Sequence, residues 1–183
     1  TGGSLSTYNR QMAVEYANFW AFSRNPQYYD YSNLGGDCTN FISQCIYAGS
    51  GVMNYTRDIG WYYRNANDKA PAWTAARYLH PFLTRYTADP GPYGTETDVS
   101  QIEVGDIVQL AFQDTGTFTH SLFVVNCGSP AAIGNIRINT HIMTGWITPD
   151  QLFLEQDPFY QDLGGKELRE DADKGQKEIA EYL

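Results

Sequence analysis

Three cysteines and three histidines are the residues of this 183-residue chain best suited to covalent chemistry, and their settings differ. Cys38 follows Gly35-Gly36-Asp37 and precedes Thr39-Asn40-Phe41, so a double-glycine turn runs into a helical pattern at the thiol. A cysteine in the first turn of a helix lies among unsatisfied backbone N–H groups at the positive end of the dipole, which favours the nucleophilic thiolate. The same N–H groups, those of Cys38 and Thr39 first, could hold the oxyanion of an attacked carbonyl. Neither Cys45 nor Cys127 follows such a turn, and Cys45, two turns into the same helix, reads as core. An odd count of three leaves at least one thiol free and is too small for a disulfide framework.

A thiol nucleophile needs a neutral, oriented base within hydrogen-bond reach. His120 opens the apolar run 121–125 after a polar turn, and an imidazole at a strand edge can face a helix N-terminus across layers. His141 and Asn139, two residues apart on the following run, are candidates to orient it and share a face if that run is a regular strand. Taken singly, His120 also fits a solvated strand end and His141 a satisfied core histidine.

Several elements must position these groups. Residues 9–22 place Met12, Ala13, Tyr16, Ala17, Phe19 and Trp20 at helical spacing, which predicts an amphipathic helix ending near Asn25-Pro26. A second helix begins at Cys38, capped by Asp37, with Phe41, Ile42, Cys45 and Ile46 apolar and Gly49 at its end. A third pattern spans 73–86, with Pro81 placed to kink or divide it. From residue 104 the character changes: runs 107–112, 120–125 and 133–143 are rich in β-formers and separated by turn residues, which predicts an antiparallel meander. Helices first and strands second make an α+β domain with segregated layers. Residues 1–160 form that domain, and the charged stretch 161–183 reads as a peripheral helix or tail.

Composition bounds the function. At 42% hydrophobic residues the chain can bury one sizeable core. A net charge of −9 argues against a face that tracks nucleic-acid phosphates. No run approaches the roughly 20 apolar residues needed to cross a bilayer. The chain opens at Thr1-Gly2-Gly3-Ser4, with no basic and then apolar leader. Two tyrosine-rich stretches, 26–31 and 61–63, read first as core and second as a carbohydrate-type aromatic surface.

The segments 8–17, 35–45, 104–109, 119–121 and 140–141, in that order, resemble the successive signatures of the putative amidase domain family of bacterial cell-surface proteins. The resemblance covers about residues 8–155, and its Gly-Gly-Asp-Cys-Thr-Asn-Phe element is the specific part. That family is similar to NlpC-type cell-wall peptidases and CHAP amidases, which implies a papain-like core of a cysteine-bearing helix packed on an antiparallel sheet. The resemblance implies Cys38 as nucleophile, His120 as general base and His141 as third residue, with Asn139 the alternative. Asp37, Thr39 and Tyr31 are the implied substrate or oxyanion contacts, Asp37 being a helix cap first. It further implies a peptide or peptidoglycan-stem substrate, no metal or organic cofactor, and a secreted or cell-surface bacterial protein.

Other chemistries fit less well. Zinc binding lacks paired Cys-x-x-Cys and helical His spacing, and a serine hydrolase lacks a Gly-x-Ser-x-Gly elbow. Acyl transfer to an amine would use the same acyl-thioester. An idle binding module of the same fold would have no chemical reason to keep Cys38 and His120 together.

Overall fold

A computed structural model of the chain describes residues 7–85, 90–111, 117–131 and 136–141. The predicted tail at 161–183 lies outside these residues. Helix α1 spans Arg10–Trp20 and begins where the Asn9 side chain accepts from the Met12 amide. Its buried stripe is narrower than the spacing implied. Ala13 and Ala17 face the core, whereas Met12 and Phe19 are exposed. The small alanines let α1 approach α2, Cys38–Ser50, closely, and the Asn9 amide donates to the Gly49 carbonyl at 2.8 Å. Helix α2 runs one residue past Gly49 and is closed by Gly51 at φ 67, whose amide donates to the Tyr47 carbonyl.

Strands β1 (Tyr63–Asn65) and β2 (Asp68–Lys69) form a small hairpin that the tyrosine pattern did not predict. The third helical pattern is divided, but at Ala75 rather than Pro81. Helix α3 is Pro71–Thr74 and α4 is Ala76–Thr84, with Ala75 extended between them and Pro81 inside α4. After a 3-10 turn at Val99–Gln101 come β3 (Ile107–Ala111), β4 (Phe118–Asn126) and β5 (Arg137–Asn139), an antiparallel sheet in the order β3-β4-β5. The meander predicted from the β-rich runs is present, and the architecture is α+β.

The core is aromatic. Trp61 and Trp73 are fully buried with ring centroids 4.7 Å apart, and they pack with Phe41, Ile42, Leu79, Phe82 and Phe123. Each buried indole N–H finds an acceptor, Trp61 on Ser43 and Trp73 on Asn40, both at 3.0 Å. Tyr28 and Tyr63 lie against Trp73, so much of the tyrosine signal is core, although Tyr29 remains 47% exposed. Side chains alternate along β4, and Phe123 joins the helical core. Gln109 bonds Ser121 across the register, so these odd-numbered positions face the helices and Leu110 and His120 take the opposite face.

Candidate active site

Gly35 and Gly36 stand at φ 100 and 112, a left-handed path open to glycine that turns the chain into α2. Cys38 is the first residue of that helix. Asp37 sits at the N-cap position, but contrary to the cap prediction its carboxylate bonds none of the free helix amides. It is drawn away by stronger partners. One oxygen accepts from the Tyr31 amide at 3.0 Å and from Asn40 Nδ2 at 2.9 Å; the other meets His141 Nδ1 at 2.8 Å and lies 3.2 Å from Arg24 Nε. Both oxygens of the buried carboxylate are thereby engaged away from the helix amides.

Cys38 is 6% exposed. Burial pushes its thiol up, against donors that favour the anion: the Ser121 amide, the Thr39 hydroxyl 3.7 Å away and the Thr39 amide; the Asp37 charge adds to the upward push. Burial thus opposes the thiolate that the helix start favours. Cys45 is fully buried and pushed well up with only its own amide in opposition, as expected of a core residue. All three cysteines are free, so Cys45 and Cys127 do not pair.

His120 is 3% exposed, and its Nε2 has no hydrogen-bond partner among the described residues. Burial lowers it to about 4, so the ring is neutral at pH 7 and its protonated form is disfavoured. It is neither the solvated strand end that a lone histidine there would suggest nor bonded to Cys38 or His141 among the described residues. The next residue, Ser121, reaches the sulfur's surroundings through its hydroxyl, 3.0 Å from Thr39 Oγ1.

His141 goes to the helices. Besides Asp37, its Nε2 faces the Trp20 carbonyl at 2.9 Å, and its ring stacks on Phe41 with centroids 3.8 Å apart. Asn139 donates to Asn18 at 2.9 Å, so both candidates for third residue turn toward α1. Tyr31 is buried, with Lys69 Nζ 5.2 Å from its ring centroid, and is tied to the site by its amide. The structure thus brings Asp37, Cys38, Thr39, Tyr31 and His141 together around one helix start. Sequence reasoning missed Arg24, Ser121 and Gln109. Gln109 had a signal, a lone amide within the apolar run 107–111, because a buried polar group needs a partner.

No group of three or more His, Cys, Asp or Glu among the described residues is arranged to hold a metal ion, and no helix among them is long and apolar enough to cross a membrane. The uncharacterized protein YhbB of Bacillus subtilis (strain 168) is 31% identical over 125 residues, which are 67% of this chain and 39% of that relative, so the chain spans well under half of its length. No solved structure matches. The model of the putative amidase domain matches residues 7–157, and the chain belongs to that family.

Proposed function

We propose that the chain is a cysteine-dependent amidase or peptidase that hydrolyses an amide bond in peptide of the bacterial cell wall, on a papain-like arrangement of helix and sheet. The observation that carries this reading is the place of Cys38 as the first residue of α2, behind the Gly35-Gly36 turn, with Thr39 Oγ1 3.7 Å from its Sγ and Ser121 Oγ 3.0 Å behind Thr39. A helix start and a neighbouring hydroxyl suit a sulfur anion better than the apolar setting of a core thiol does.

In this reading the Cys38 proton passes to the neutral His120 ring as a sulfur–carbon bond forms at the carbonyl. Helix-start N–H groups hold the oxyanion. The tetrahedral adduct collapses by breaking the carbon–nitrogen bond, and the imidazolium proton leaves on the amine. Water then loses a proton to His120, attacks the thioester and releases the acid and the thiol. Because register fixes the face of His120, this step requires β4 to shift so that the His120 face meets the sulfur. His141 is the third residue, holding Asp37 and thereby the helix start. A second reading exchanges the two histidines: His141 already lies beside Asp37, the residue before the nucleophile. A cell-wall substrate also calls for export from the cytoplasm.

Alkylation with iodoacetamide near neutral pH, read by peptide mass spectrometry, tests the core of this. Cys38 should react well ahead of Cys45, and His120→Ala should slow it. An unchanged rate in His120→Ala with a slowed one in His141→Ala selects the second reading. Cys38 reacting no faster than Cys45 would sink the nucleophile assignment. For the substrate, muropeptides digested by wild type and by Cys38→Ala should give different products, and identical products refute the cell-wall reading.

A further inference from the structure

Gln109 lies in the middle of β3 and is 5% exposed. Its amide nitrogen has two protons and two acceptors: the Ala76 carbonyl at 3.1 Å and the Ser121 hydroxyl oxygen at 3.1 Å. Ser121 is fully buried, and having accepted a proton it must place its own. Thr39 Oγ1, 3.0 Å away, is the acceptor in reach. Thr39 in turn accepts from Ser121 and has one hydroxyl proton left, with Cys38 Sγ at 3.7 Å to receive it. Because an amide N–H can only donate, the direction is set at the Gln109 end and each hydroxyl passes it on. Ser121 itself is fixed from behind, since Thr140 Oγ1 donates to its carbonyl at 2.7 Å.

We propose that Gln109, Ser121 and Thr39 form a one-way donor chain ending on Cys38 Sγ, which makes them positioning residues that hold the sulfur and stabilise its anion. Its catalytic meaning rests on Cys38 being the nucleophile, whereas its effect on the sulfur does not. Buried hydrogen bonds polarise one another along such a chain, so the terminal hydroxyl is a better donor than an isolated threonine. The chain joins the sheet to the helix start, so that packing of β3 and β4 on α2 and α4 sets the chemistry of a thiol on α2. The charged group that acts on the sulfur is the Asp37 carboxylate, which opposes the anion and is itself engaged by His141 and Arg24.

The test is the pH dependence of Cys38 alkylation by iodoacetamide in the full chain, with the unfolding midpoint measured beside it. Thr39→Val, which removes the hydroxyl at constant shape, should raise the apparent thiol pKa by about one unit, which is about ten-fold in rate at pH 7. Thr39→Ser keeps the hydroxyl and should stay near wild type. Ser121→Ala should give a smaller rise in the same direction. Gln109→Leu should do so as well, though it also strips the Ala76 carbonyl of its donor. Profiles for Thr39→Val and Ser121→Ala that overlie wild type, at unchanged unfolding midpoints, overturn the chain. A separate arm follows amide hydrolysis in Cys38→Ala: retained hydrolysis with a shifted Thr39→Val profile leaves the chain standing and removes the catalytic role of Cys38.

Discussion

Two buried polar centres differ in how completely they are satisfied. At the start of α2, Asp37 is 1% exposed yet met by the Tyr31 amide, Asn40, His141 and Arg24. On β4, His120 is 3% exposed with a ring nitrogen that meets nothing among the described residues. A buried polar group with all its partners specifies one arrangement of the elements that supply them. One without partners costs stability, and His120 stands on the face of β4 opposite Ser121. The first centre ties the start of α2 to His141 and Arg24, whereas the ring nitrogen of the second has no such tie among the described residues.

The largest effect that could break this contrast is Asp37→Ala. It leaves Arg24 and His141 without their buried carboxylate and should destabilise the protein by about 3–5 kcal/mol in chemical unfolding; a loss under about 1 kcal/mol would show that Asp37 does not organise the helix start. Next is acid. The unfolded chain gains a proton at His120 as pH falls through about 6.5, whereas the folded protein resists until about 4. Across that window the unfolded state binds more protons, so stability falls with pH, by roughly 3 kcal/mol at about 1.36 kcal/mol per unit. Unfolding curves at pH 7 and pH 4 for wild type and His120→Leu isolate this, since the variant should lack that part of the decline.

At pH 7 the same two centres should separate in the size of their effect on stability. His141→Leu should cost about 1–3 kcal/mol by stranding a partner of Asp37, while His120→Leu should be near neutral in stability but abolish turnover. Equal losses would erase the distinction. The smallest expectation is a control away from both. Arg10 pairs with Asp106 at 2.6 Å and with Glu103 at 3.4 Å on a surface where its side chain is 36% exposed, so Arg10→Met should change stability by no more than about 1 kcal/mol.

The parts of the fold legible in the sequence are those written in local pattern. The apolar spacing of α1, the double glycine before Cys38 and the β-rich runs of the meander each carry their instruction within a few residues. Where the reading slipped, a distant partner had intervened. Asp37 has the residue type of a cap, but His141 and Arg24 outbid the helix amides, and neither is near it in sequence. The split at Ala75 and the β1–β2 hairpin likewise follow from packing around Trp61 and Trp73, which local propensity does not encode.

By itself the sequence determined that a thiol stands at a helix start, that histidines sit on or beside later strands, and that a helical half precedes a sheet. These follow from residue type and short-range periodicity. Only the tertiary structure decided which groups meet. It sent His141 and Asn139 to α1 and placed His120 on the far face of β4. It also set Thr39 beside the sulfur, with Ser121 and then Gln109 behind it. The reason is physical: strand alternation and register choose the face of every side chain, and register is set by long-range pairing that no single segment contains.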